Sequence, residues 1–75
     1  MDAAYDRELG LNLRRLRKLQ GFTQEQLAAQ LQVHGCDITR SALAKIEAGQ
    51  RHVYPDELRW LKRLLDVEYD ALFPE

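Results

Sequence analysis

Arg40, Ser41, Ala44 and Lys45 stand within one short stretch of the chain, and together they suggest a definite chemistry. Arginine and lysine are long donors, and their pairing with O6 and N7 of guanine is the commonest specific contact between a side chain and a base edge. Ser41 and Ala44, with Ala48, are small enough to let a backbone approach base edges closely. Residue types alone leave a second reading equally open, an ordinary solvated helix face. Three further residues suit the binding of phosphate: Gln24 and Thr39, each where a helix is expected to begin, and Arg51 just beyond Gly49. A helix start presents free backbone amides, a ready anion site, and such contacts set register without reading sequence. Capping alone also accounts for Gln24 and Thr39.

Helices must position these groups, because apolar residues recur at intervals of three and four rather than two. Over 9–20, Leu9, Leu13, Leu16 and Leu19 form one stripe with Arg14, Arg15 and Lys18 opposite, and Gly21 is the expected stop. Thr23 and Gln26 have the spacing of a capping box, and Phe22 and Leu27 that of a hydrophobic staple. Leu27, Ala28 and Leu31 then supply a buried stripe that runs towards Gly35. Thr39 caps a third helix ending near Ala48 and Gly49, with Ala42, Leu43 and Ile46 inward and Arg40, Ser41, Ala44, Lys45 and Ala48 outward. Pro55 opens a fourth, lined by Leu58, Leu61, Leu64 and Leu65, and Tyr69 to Phe73 form a last short one before Pro74.

Composition narrows the classes. The chain has 75 residues, 45% hydrophobic and 31% charged, which suits one small folded domain. A single cysteine cannot form an internal disulfide. Residues 1–8 carry three acids and no apolar run, unlike a signal peptide, and no stretch approaches the roughly 18 apolar residues of a membrane span. A cytoplasmic setting with no membrane association is expected. The net charge of −1 runs against nucleic-acid binding, but its distribution does not. Arg14, Arg15, Arg17 and Lys18 crowd one segment, Arg40, Lys45 and Arg51 another, and many of the acids lie near the two ends. His34, Cys36, Asp37 and His52 lack the patterned spacing of a zinc site, so no metal and no cofactor are expected. No nucleophile–base pair suggests an enzyme.

The run from Leu9 to Phe73 resembles the helix-turn-helix domain of phage repressors and Cro, the xenobiotic-response-element (XRE) family. The matching stretches are LRRLRKLQGFTQEQLAAQL (13–31), ITRSALAKIEAGQR (38–51) and LRWLKRLLDVEYDALF (58–73). The resemblance implies an all-α domain of four to five helices over 9–75, with residues 1–8 as an N-terminal arm. It implies that the third helix lies in the DNA major groove while the second crosses the backbone, so that Arg40, Ser41, Ala44 and Lys45 fall where the family reads bases. It also implies an ion pair between Arg17 and Glu47, two residues at the edges of their apolar stripes, joining the first helix to the third. The sequence departs from the family at the turn, where Gln32 to Ile38 make a connection several residues longer than the pattern. Ile38 still fits the apolar position before the third helix.

The sequence therefore points to a transcriptional regulator, in the first instance a repressor, that binds a double-stranded DNA operator as a homodimer. The alternative is a protein-interaction module or antitoxin-like partner that keeps the fold, and a regulatory protein partner fits either. Trp60 and Val67 widen the apolar arc of the fourth helix beyond one contact face, so they meet Tyr5, form a dimer interface, or simply fill the core.

Overall fold

The structure, a computed structural model, describes residues 3–74, and every regular element among them is helical. In chain order these are α1 (Ala3–Leu19), α2 (Gln24–Val33), α3 (Arg40–Glu47), α4 (Pro55–Leu65) and α5 (Tyr69–Leu72). No helix among the described residues is long and apolar enough to cross a membrane.

The first helix departs most from expectation. It begins at Ala3 rather than Leu9, so residues 3–8 are helical turns rather than a separate arm, and Met1 and Asp2 lie outside the described residues. Ala3 and Ala4 are strong helix formers, and Asp6 in the first turn favours the helix dipole. Contacts distant in sequence then hold these turns. Asp6 lies 3.2 Å from His52 Nδ1, and the Tyr5 hydroxyl donates to the carbonyl of Pro74 at 3.3 Å. Gly49, at φ 74°, backs against Arg7, whose Cα would lie 2.7 Å from a Cβ at that position.

Leu19 is the second correction, since it is 70% exposed instead of completing the apolar stripe. At about 100° per residue, Gly10 and Arg17 lie to one side of the Leu9–Leu13–Leu16 line and Leu19 to the other. The buried set is Leu9, Gly10, Leu13, Leu16 and Arg17, so the helix is rolled towards the Arg17 side and turns Leu19 to solvent. Gly10 makes this roll possible. A Cβ there would collide with the carbonyl oxygens of Ile46 and Glu47, so only glycine lets α1 lie so close on α3.

The core is made by all five helices. Leu13, Leu27, Leu31, Ile38, Leu43, Ile46, Leu61, Leu65 and Leu72 are almost wholly removed from water, each contributing about 1.5–3 kcal/mol by burial. Phe22, Ala42, Leu58, Trp60, Leu64 and Val67 pack around this centre half-buried. Asn12 of α1 secures α5 by donating to the carbonyls of Ala71 and Leu72, both at 2.7 Å. These two carbonyls have no acceptor role inside so short a helix.

Local signals set the boundaries. Thr23 Oγ1 accepts from Gln26 N at 3.0 Å while Gln26 Oε1 accepts from Thr23 N at 2.9 Å, a complete capping box. Thr39 Oγ1 likewise accepts from Ala42 N at the start of α3. Pro55 occupies the first turn of α4, and Glu57 Oε1 accepts from Tyr54 N at 3.0 Å. The long connection after α2 is ordered by hydrogen bonds from Gly35 N to Gln32 O and from Cys36 N to Leu31 O, a Schellman closure with Gly35 at φ 83°.

Candidate nucleic-acid interface

Behind the outward face of α3 lies a buried network of three side chains. Arg17 Nε donates to Glu47 Oε2 at 2.7 Å and Arg17 Nη2 to Glu47 Oε1 at 3.1 Å, a two-point pairing that joins α1 to α3. Only 7% and 4% of the two side chains is exposed. Arg17 Nη1 also donates to the Phe22 carbonyl at 2.7 Å, and Gln24 Nε2 donates to Glu47 Oε1 at 3.0 Å. The end of α1, the start of α2 and the end of α3 thus share one carboxylate. No buried side-chain polar atom among the described residues lacks a partner, which is what a stable buried charge requires.

This network forms the floor of an open cleft of about 760 Å³. Arg14 and Lys18 of α1, Gln24 and Glu25 of α2, and Arg40, Ala44 and Ala48 of α3 line it. Among the described residues no ion pair engages Arg14, Lys18 or Arg40, so three cations face a single acid, Glu25, across the opening. Ser41 and Lys45 are exposed and Ala44 half-buried on the same outward side of α3, opposite the buried Leu43 and Ile46. The cap at Thr23 engages the third amide of α2, and among the described residues no side chain caps those of Gln24 and Glu25. The arrangement can therefore offer long cationic donors, a small-residue surface and helix-terminal amides to a polyanion.

A family profile described as a helix-turn-helix domain matches residues 8–73. The chain belongs to the helix-turn-helix domain family. Its fold is similar to that of the crystallised DNA-binding domain of BldD, with 26% identity and a TM-score of 0.83 over 99% of this chain and 100% of that one. It is also similar to the restriction-modification controller protein C.AhdI from Aeromonas hydrophila, with 35% identity and a TM-score of 0.80 over 95% of this chain and 96% of that one. Among curated proteins no match is found. The all-helical fold and the family resemblance read from the sequence both agree with these likenesses.

Within the helix-turn-helix domain the residues singled out from sequence divide into two groups. Arg40, Ser41, Ala44 and Lys45 share one face, with Gln24 beside them; Thr39 caps α3. Arg51 is differently placed. Its Nη1 donates to Glu57 Oε1 at 3.0 Å and to the His52 carbonyl at 2.8 Å, and its Nη2 to Glu57 Oε2 at 2.9 Å. These bonds from Arg51 hold the Glu57 carboxyl below the usual carboxylate range and raise the guanidinium further above its own. Trp60 is half-buried on α4, with one face covered by the ring of His34, and Val67 is half-buried after α4.

Arg14 and Lys18, which the sequence marks only as part of a basic cluster without a contact role, join the site, and so does Glu25, which it does not mark at all. The signal for the first two was present, since they were read as the polar side of α1, but only the packing of α1 across α3 turns that side into a wall of the cleft. Cys36 lies buried in the connection, and burial followed by the nearby carboxylates of Asp56 and Glu57 pushes its thiol pKa up, so it stays protonated. No group of three His, Cys, Asp or Glu residues among the described residues could hold a metal ion.

Proposed function

We propose that this helix-turn-helix domain is a sequence-specific DNA-binding transcription regulator, with α3 lying in the major groove. Arg40 and Lys45 read base edges, and Ser41 and Ala44 allow the close approach that reading needs. Phosphate contacts come from Arg14, Lys18 and the helix starts at Gln24 and Thr39, while Arg51 joins them only by leaving Glu57. The observation that carries this reading is the cleft itself: cations with no ion-pair partner among the described residues gather around the small-residue face of α3, and a buried network fixes that helix to both of its neighbours. The two similar structures, a DNA-binding domain and a restriction-modification controller, support it.

The regulator acts as a repressor in the cytoplasm and binds its operator as a homodimer, with two α3 helices about 34 Å apart in successive major grooves. The free edge of Trp60 with Val67 supplies the dimer contact, and a regulatory partner protein can act through the same surface. It carries out no catalysis of its own. A net charge of −1 favours a second reading, a protein-interaction module that keeps the fold.

Selection of binding sites from random duplex DNA at fixed salt, followed by a salt titration on the selected site, separates the two. The expected result is an enriched sequence whose affinity falls steeply with salt, by a slope of about −0.9 for each phosphate neutralised. No enrichment, or binding indifferent to salt, refutes the DNA reading.

A further inference from the structure

The connection from α2 to α3, residues 34–39, is tied at several points. Gln32 Nε2 donates to the Ile38 carbonyl at 3.1 Å, spanning nearly its whole length. Cys36 and Ile38 plunge into the core at 5% and 0% exposure. Between these anchors stands His34, itself exposed, whose ring stacks on Trp60 of α4 with centroids 4.3 Å apart and planes inclined by 12°. Trp60 is steadied in turn by two arginines one turn apart on its own helix, with guanidinium carbons 5.6 Å (Arg59) and 5.0 Å (Arg63) from the indole centroid. A contact outside the DNA-facing cleft thus grips the segment that leads directly into Thr39 and α3.

We propose that His34 is a positioning residue for DNA recognition: stacked on Trp60, it holds the long connection so that α3 meets the major groove at one angle. The proposal rests on the DNA-binding reading above. An eight-residue helix is about 12 Å long, so a tilt of about 10° moves its far end by about 2 Å. That displacement exceeds the tolerance of a hydrogen bond to a base edge. Phosphate contacts from flexible Arg14 and Lys18 absorb such a shift far better. The brace therefore governs discrimination between sequences more than attraction to DNA.

The test uses the full chain, the duplex selected by the wild-type protein and a shuffled duplex of the same length, all at one salt concentration, with thermal midpoints measured in parallel. His34→Ala is expected to weaken binding to the selected duplex about three- to tenfold, the equivalent of one aromatic pair, while leaving the shuffled duplex unchanged. His34→Phe, which restores a ring, is expected to recover most of the loss. Equal loss on both duplexes together with a lowered midpoint would reveal a purely structural role and overturn the proposal. So would unchanged discrimination in His34→Ala, or a normally folded His34→Phe that recovers nothing. If His34→Ala folds poorly, His34→Gln against His34→Phe makes the same comparison at the exposed side of the stack. A wild-type protein that cannot tell the two duplexes apart is a different result, for it removes the functional reading itself.

Discussion

On the cleft side of the molecule Arg14, Lys18 and Arg40 stand without an ion-pair partner among the described residues, whereas on the α4 side most cations are already engaged. Arg51 pairs with Glu57, Arg59 and Arg63 lie over Trp60, and Lys62 lies over the ring of Tyr69 at 5.3 Å. The two sides also differ in how deeply their carboxylate–guanidinium pairs are set. Arg17–Glu47 is 7% and 4% exposed by side chain, Arg51–Glu57 27% and 10%. The same residue types thus fix the architecture in one place, stay available to a polyanion in another, and stiffen a helix surface in a third. A net charge of −1 conceals this division, because a polyanion responds to cations that are unengaged and close together.

The depth of the two pairs gives the largest expected effects. Glu47→Ala strands the Arg17 guanidinium in a buried site and is expected to cost about 3–5 kcal/mol, enough to threaten folding of a domain this small. Arg51→Ala breaks a pair of similar geometry nearer to solvent and is expected to cost about 1 kcal/mol. Urea denaturation midpoints measure both, and equal costs would erase the distinction drawn between the pairs. Gly10→Ala falls between them. Its methyl group collides with the backbone of α3, and the resulting overpacking is expected to cost about 1–3 kcal/mol by the same measurement. A neutral or stabilising outcome would mean that the cleft wall formed by α1 is loosely held.

How far such features were legible from sequence depended on whether they were local. The capping box at Thr23, the stop at Gly35 and the proline start at Pro55 rely on neighbours within a few residues, so the chain announces them directly. Arg17 and Glu47 were identifiable because each sits at the edge of an apolar stripe and the family resemblance pairs them. The roll of α1 was not visible, since periodicity gives the stripe but not its centre. Periodicity therefore puts Leu19 in the stripe and says nothing of Gly10, although a glycine inside a leucine-rich helix is itself a hint of close approach. The early start of α1 depends on His52, Gly49 and Pro74, all distant in sequence. For the same reason the engagement of Arg51 by Glu57 and the seating of His34 on Trp60 belong to the folded chain alone.

The division between unengaged and engaged cations can be tested without disturbing the fold. Arg14→Ala combined with Lys18→Ala removes two exposed side chains from the cleft and is expected to reduce the slope of log affinity against log salt by about 2, one for each lost phosphate contact. Arg59→Ala combined with Arg63→Ala removes the same charge from α4 and is expected to leave that slope almost unchanged. Salt titrations with the selected duplex provide the measurement. Equal reductions in the two double variants would mean that DNA senses the overall charge of the protein and not the cleft.

The smallest expected effect sharpens the contrast between the two buried carboxylates from the α4 side. Arg51 lowers the Glu57 carboxyl below its unfolded value, so Glu57 binds a proton more readily in the unfolded chain than in the folded one. Its contribution to stability is therefore complete above the unfolded carboxylate range, which lies near pH 4.3, and is lost as the pH falls through the lowered folded value. Glu57→Gln removes that dependence: the variant is expected to be less stable than the wild type at neutral pH, and the gap should close on acidification below about pH 4.3. Because the other carboxylates titrate alike in both proteins, the difference between the two stability curves isolates this one pair. A gap that persists undiminished at acid pH would show that the amide is poorly accommodated beside the Arg51 guanidinium and that the charge itself contributes little, so that Arg51 is freer to leave for phosphate than its geometry implies.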